Sequence, residues 1–269
     1  MLSASHTHSG PKTLDMISNK NDPVVPPVDK DYTDFLVDSL SRLINKAWAQ
    51  RDTSELAVVT TTGKGIGGNR RDKNGLTDPE VPVIIVRRMR DKKVFAISST
   101  YCMHPTVLHE DSKLYSADFP GYTREYILNK LDKDMVYLYH TGPSGNQSPR
   151  HFIKATTFDE AKRLGYMLGE RIVDAILNTA DKDFKSAISL NAVISRVTLP
   201  LKKFPSIEEA DRKLEEAALR LEGLRREKAP KSEIRTAECD WFGAEEIVTL
   251  ARLAGNNELN ETIKAILPA

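Results

Sequence analysis

The chain predicts an α/β fold, with mixed sheet layers flanked by helices and a helical C-terminal part. Two observations carry this. Short apolar runs with strand character, at 56–62, 81–88, 94–101 and 135–139, are interleaved with stretches of helical period, which is the pattern of a layered α/β domain. After Ser206 the strand signal stops and only helical spacing remains. At 269 residues the chain is long enough to bury a sizeable core, as one large domain or two small ones.

Taken in order, residues 19–28 are polar and proline-rich and read as a loop. Phe35, Leu36, Leu40, Leu43, Ile44 and Trp48 recur at helical spacing, so Asp31 to Ala49 is expected to be an amphipathic helix. Leu56 to Thr62 is strand-like. Val81 to Arg88, a charged turn at Arg90 to Lys93, and Val94 to Tyr101 read as a β-hairpin that delivers His104 at its exit, with Arg87 to Lys93 as a solvated tip. Tyr122 to Leu131 is expected to be helical and Met135 to Tyr139 a short buried strand. Thr157-Phe158-Asp159-Glu160 has the form of a capping box. The helix it opens lines up Ala161, Leu164, Leu168, Ile172, Val173 and Ile176 on one side. Ser189 to Leu201 reads as extended, and Ser206 with Glu208 and Glu209 starts a second capped helix running to about Arg226. Lys228 to Ser232 is a linker before two further helical segments ending near Leu267.

Composition excludes several functions. The 39 Lys and Arg residues against 38 Asp and Glu give a net charge of +1, which offers no electrostatic argument for nucleic acid. Two cysteines, Cys102 and Cys239, make no disulfide framework and have no C-x-x-C spacing. The longest apolar runs, such as 81–86, are far too short for a membrane span. No signal peptide is expected, because Met1 is followed almost at once by polar, histidine-bearing sequence.

The chemistry-bearing segments are few. Three of six histidines lie in two short stretches of small and polar residues: His6 and His8 within Ser5-His6-Thr7-His8-Ser9-Gly10-Pro11, and His104 before Pro105-Thr106. In an extended chain residues i and i+2 share a face, so His6 and His8 can enter one pocket, and neutral imidazole is a good zinc ligand. Gly63 to Gly68 matches G-x-G-x-x-G literally, but the following Asn69-Arg70-Arg71-Asp72-Lys73-Asn74-Gly75 has no helical period, so the nucleotide reading is rejected. The same stretch reads as a loop presenting Asn69 and Arg70, where Arg70 either stabilises an anionic intermediate or is simply solvated. In Gly142-Pro143-Ser144-Gly145-Asn146-Gln147-Ser148-Pro149 the glycines, Gly145 among them, let backbone N–H groups approach a ligand. Ser148 is there a nucleophile, a donor, or only part of a turn. Asp118, before a helix, either fixes the tautomer of a ligating histidine from behind or caps that helix. His140 and His151 lack partners at ligand spacing, and His109-Glu110-Asp111 reads as a loop whose side chains diverge.

Together these segments resemble the neutral/alkaline (non-lysosomal) ceramidase family in its N-terminal catalytic domain, and its shorter bacterial branch in particular. The matching pieces, in order, are Ser5 to Pro11, Asn69-Arg70, His104-Pro105-Thr106, Ser116-Ala117-Asp118-Phe119-Pro120-Gly121 and Gly145-Asn146-Gln147-Ser148-Pro149. The resemblance implies a zinc-dependent amide hydrolase that cuts N-acylsphingosine into a fatty acid and a sphingoid base. It implies His6 and His104 as zinc ligands, His8 as a proton-exchanging group, Arg70 and Ser148 in the reaction, and Asn69 and Gly145 against the substrate. The loop departs from the family's usual Gly-Asp-Val-Ser-Pro by carrying Asn146 and Gln147, which changes the charge beside Ser148.

The resemblance also leads to the expectation that residues 1–269 form part of such a catalytic domain, with 1–205 as the α/β core and 206–269 as peripheral helices. The chain is expected to lack upstream and downstream segments, including a further Glu and Tyr ligand. With two histidines alone, weak zinc affinity and little amidase activity are expected. The alternatives are a zinc hydrolase acting on a non-lipid amide or ester, and a non-catalytic remnant. The partner implied is a small-molecule or lipid amide substrate.

Overall fold

In a computed structural model, residues 3–13, 27–109, 112–198 and 203–266 are described below. The chain forms two compact units, one made of Met1–Pro11 with Val37–Asn191 and the other of Lys12–Leu36 with Ala192–Ala269.

The first unit is built on a four-stranded mixed sheet in the order β1-β3-β4-β5, with β1 Ser54–Thr62, β3 Glu80–Arg88, β4 Val94–Tyr101 and β5 Val136–Thr141. β1, β3 and β4 are antiparallel neighbours, so the expected hairpin is present. β5 instead lies parallel to β4, with Ala96 opposite Val136 and Tyr101 opposite Thr141. A parallel neighbour needs a crossover, and helix α2 (Asp118–Lys130) supplies it. β4 and β5 therefore end side by side, and both chain exits lie at the same end of the sheet.

Strand alternation sends Val81, Val83, Ile85, Ile97, Tyr101 and Tyr137 to one face, where they are buried against α2 and α3 (Phe158–Leu177). The six apolar residues expected along α3 are all buried there, the Leu, Ile and Val side chains each stabilising the fold by roughly 1.5–3 kcal/mol and Ala161 by less. α2 and α3 cross closely, and the Thr123 hydroxyl donates to both the Phe119 and Gly165 carbonyls, at 3.0 Å each. On the opposite face Val58, Ile84, Val136 and Leu138 are 39–66% exposed.

Several expectations need correction. Helix α1 (Lys30–Ala49) forms as its spacing requires, but none of its residues is buried, and Trp48 is 70% exposed. Arg87 is not part of a solvated tip. It faces the core side of β3, stacks on Phe184 at 3.7 Å from the ring centroid, and donates to Glu55 (2.8 Å) and Asp181 (2.5 Å). Only half of the Thr157 capping box is made. The Thr157 hydroxyl accepts from Glu160 N–H, but the Glu160 carboxylate accepts from Lys154 N–H and pairs with Arg163. α2 begins earlier than its apolar spacing suggests, at Asp118, because Pro120 is tolerated in a first turn.

In the second unit α4 (Ile207–Arg226), capped by Ser206, packs on α5 (Lys231–Gly255), followed by α6 (Leu259–Ile266). Its small core is Ala210, Val248 and Ala251 with Phe204, Leu214 and Ile247. The stretch 189–198 holds no regular element and leaves Leu190, Val193 and Ile194 exposed. Parts of the readings at 19–28, Glu110-Asp111, Leu201 and Leu267 lie outside the described residues.

Candidate metal centre

The sequence segments singled out above meet at the end of the sheet where β4 and β5 stop. His104 follows β4 by three residues. Its backbone N–H donates to the Gln147 carbonyl at 3.1 Å, and its Nδ1 lies 2.7 Å from the Ser144 carbonyl and 3.0 Å from the Gln147 carbonyl. Carbonyls only accept, so Nδ1 carries the proton and Nε2 keeps its lone pair for a ligand. Burial, then the Arg70 guanidinium and the neighbouring His6, push the His104 pKa below the usual histidine value. The ring is therefore held neutral, as metal ligation requires.

The His6-Thr7-His8 segment reaches this point without a strand of its own. It is stapled to the ends of other elements: Thr141 at the end of β5 donates to the Ser5 carbonyl (2.6 Å), Ser116 N–H donates to Ser9 O (2.9 Å), and the Thr7 hydroxyl donates to Ser116 O (2.8 Å). A hydrogen bond of 2.5 Å also joins the Ser3 hydroxyl to His140, which gives that histidine a structural task. His6 adopts φ +62°, in the left-handed region, so plain extended alternation is not what aligns the two rings. The pinning of Thr7 between them does that work.

His6 and His104 converge although about a hundred residues separate them, with ring centroids 4.7 Å apart. His8 joins them, its centroid 5.1 Å from that of His6 and 5.8 Å from that of His104. One ligand atom from each of the three lies within 4.8 Å of the others. His104 is buried, while His6 and His8 are exposed at the mouth. Three imidazoles, one with its remote nitrogen tied to carbonyls, form a donor set suited to zinc.

A two-stranded sheet, β2 (Gly68–Asn69) with β6 (Gln147–Ser148), brings the arginine and serine segments to the same place. Arg70 N–H donates to Asn146 O at 2.8 Å, and Arg70 is near enough to His104 to depress its pKa. No helix follows the glycine stretch. Instead Gly67 lets the chain pass against Met103, where an added Cβ would sit 2.3 Å from Sδ.

The remaining candidates occupy particular positions. Ser148 is buried, and its oxygen accepts from Arg150 N–H at 3.3 Å. The Asn69 side chain is engaged inside its own loop, accepting from Arg71 and Asp72 N–H and donating to Leu76 O. It shapes the loop that carries Arg70. A Cβ at Gly145 would meet open space. Asp118 is 1% exposed, has φ +55°, and accepts from Leu108 N–H (2.9 Å) and Phe119 N–H (2.7 Å). It fastens the loop after His104 to the start of α2, and the orienting of His104 falls to the two carbonyls.

Asn146 and Gln147, read from the sequence only as a change of charge beside Ser148, hold these pieces together. Gln147 accepts from Asp78 N–H at 2.8 Å and Asn146 donates to Leu76 O at 3.0 Å, so both departures from the family's loop tie it to the 69–78 loop. An amide in place of an apolar residue was the available signal. Cys102, beside the site, is buried and hydrogen-bonded to Asp78, which together push its thiol up to about 11 and leave it unreactive.

No protein-family model and no curated protein matches the chain in sequence. Solved structures do match in fold. One is a ceramidase complexed with C2, at a TM-score of 0.57 and 18% identity over 65% of this chain and 30% of that one. Another is the neutral ceramidase from Pseudomonas aeruginosa, at 0.56 and 19% identity over 65% of this chain and 31% of that one. The chain thus spans about three tenths of the length of these proteins. The likeness to these solved structures is one of fold.

Proposed function

We propose that the chain carries the metal-binding part of a zinc-dependent amide hydrolase of ceramidase type, which adds water across the amide of an N-acylsphingosine to release a fatty acid and a sphingoid base. The observation that carries this reading is the convergence of His6 and His104 beside Arg70 and Ser148, from segments that resemble the ceramidase motifs.

His6 and His104 would hold the zinc, which when bound supplies a Lewis acid for the carbonyl. The chain's own groups do the rest. Hydrolysis builds negative charge on the carbonyl oxygen, which the Arg70 guanidinium would stabilise. The Ser148 oxygen accepts from Arg150 N–H, and its own proton would go to the substrate, with Ser148 as a donor, or to a base, with Ser148 as the nucleophile.

The test uses the purified chain with a short-chain ceramide, an ester and a non-lipid amide side by side, assayed for fatty acid or alternative product. Release of fatty acid from ceramide that is lost on chelation, restored by zinc and abolished in Arg70→Ala supports the proposal. Zinc-dependent turnover of only the ester or the non-lipid amide would replace the substrate, and a zinc-loaded chain that neither binds nor turns over any of the three would remove the enzyme reading.

A further inference from the structure

We infer that the first unit carries a binding site for a medium-chain alkyl carboxylate, at the end of the sheet opposite the metal centre. The site is a cavity of about 420 Å³ bounded by the β3–β4 turn, the start of β5, the C-terminal ends of α2 and α3, and Phe184. Small-molecule pockets run from about 300 to 1,000 Å³, so the space admits one small amphiphile. Its walls come from residues 87–184, all within the first unit. The eight residues of β4, at roughly 3.3 Å each, separate it from the His104 end, and it involves neither the clustered histidines nor a metal.

One part of the wall is apolar. Val94, Leu131, Met135, Ile176, Leu177 and Phe184 line it, and Leu177 is left 69% exposed at the end of α3. An alkyl chain laid against these residues takes apolar surface out of water on both partners.

The other part is cationic. Arg87, Lys92, Lys93 and Lys130 line the cavity against a single carboxylate, Asp132, which Lys93 holds at 2.7 Å. The Lys130 ammonium lies over the Tyr126 ring, 5.6 Å from its centroid, and has no carboxylate partner among the described residues. Part of this charge answers the carbonyl ends of α2 and α3. Lys92 and Lys93, however, are more than half exposed in their pairs with Glu55 and Asp132, and such pairs are weak enough for a ligand to recruit the lysine.

Arg87 is the anchor. Its buried guanidinium stacks on Phe184 and donates to Glu55 and Asp181, which uses two of its five N–H donors. Glu55 is largely buried, but the Asp181 side chain is 94% exposed, so its place on Arg87 is open to exchange with a carboxylate from solution. Arginine's planar fork matches that group, and a carboxylate seated there would run its chain over Phe184 towards Leu177. A neutral or cationic amphiphile would gain the apolar contact and lose this pairing.

The experiment titrates the purified chain with octanoate, followed by calorimetry and methyl NMR, beside octanol, octylammonium and acetate. Octanoate is expected to saturate and to shift the methyls of Val94, Leu131, Ile176 and Leu177. Octanol and octylammonium keep the chain without the negative head, and acetate keeps the head without the chain; each should bind ~10-fold or more weakly. Leu177→Asp and Lys130→Glu should each weaken octanoate by ~10-fold as well, and both residues are exposed, so neither change disturbs the core. Octanol, octylammonium or acetate binding as tightly as octanoate would overturn the assignment. So would octanoate that fails to saturate, that leaves the four methyls unmoved, or that binds both variants like the wild type.

Discussion

Replacing Gly67 by alanine should damage both stability and the metal site, because the chain passes Met103 here with no room for a side chain. The added Cβ would lie 2.3 Å from Met103 Sδ, 2.5 Å from its Cε and 3.1 Å from the Ser148 carbonyl. Ordinary contact is about 3.5–4.0 Å, so ~1.2–1.7 Å of overlap with the thioether must be relieved. Met103 is 1% exposed and cannot swing into solvent, and the Ser148 carbonyl belongs to the β2–β6 pairing. Overpacking of this kind costs about 1–3 kcal/mol. A loss of that size lowers Tm by ~2–12 °C in a domain of 150–250 residues. The site is affected because Met103 precedes His104 and Ser148 follows the residue whose carbonyl holds His104. The assay is a double-mutant cycle by thermal and denaturant unfolding, with zinc affinity measured on each protein. Met103→Ala alone should cost ~2–5 kcal/mol for its cavity. In the Gly67→Ala background it should cost less by ~1 kcal/mol or more, since the new methyl then occupies vacated space. Strict additivity, or a Gly67→Ala protein with wild-type stability and zinc affinity, would refute the reasoning.

Two further predictions follow from particular hydrogen bonds. Thr7→Val removes the bond that holds the segment between His6 and His8 to Ser116 and the bond that Ser9 N–H donates to the same hydroxyl; zinc affinity should fall ~10–100-fold, while unfolding free energy drops by only about 0.5–1.5 kcal/mol per lost bond, and equal zinc binding in titration would contradict the role given to Thr7. The Arg163 guanidinium, helped by Lys154 N–H, holds the Glu160 carboxyl below its ordinary value of 4.5. A lowered carboxyl pKa stabilises the fold above the unfolded-state value and loses that stabilisation as pH falls through the folded-state value. Denaturation curves should therefore show Glu160→Gln less stable than wild type at neutral pH, with the gap closing as pH falls below 4.5; a gap independent of pH would show that the charge on Glu160 contributes nothing.

Much of the fold was legible in the sequence where a single element reports its own environment. The apolar face of α3 is one example: Leu164, Leu168, Ile172 and their neighbours are all buried because a 3.6-residue period can only be satisfied by one packed face. The strands likewise carry their two-residue alternation, and the motif residues His6, His8, His104, Arg70 and Ser148 are the types that metal and oxyanion chemistry requires. Periodicity fails where the partner is distant. α1 has an apolar face as good as that of α3 and buries none of it, and Arg87, charged and next to a turn, is buried because Phe184, Glu55 and Asp181 arrive from elsewhere.

The sequence thus determined which residues could bind a metal, stabilise an anion or donate a proton, since these are properties of side chains. Which of them face one point was settled in three dimensions. The parallel placing of β5 beside β4 through α2 puts the exits of both strands at one end of the sheet. The β2–β6 pairing carries Arg70 and Ser148 to that end. Whether His8 stands with His6 and His104 depends on Thr7, Ser9 and Ser116 closing hydrogen bonds over a span of more than a hundred residues. Local spacing cannot encode such closure, because it records only the directions available within one segment and not the segment it will meet.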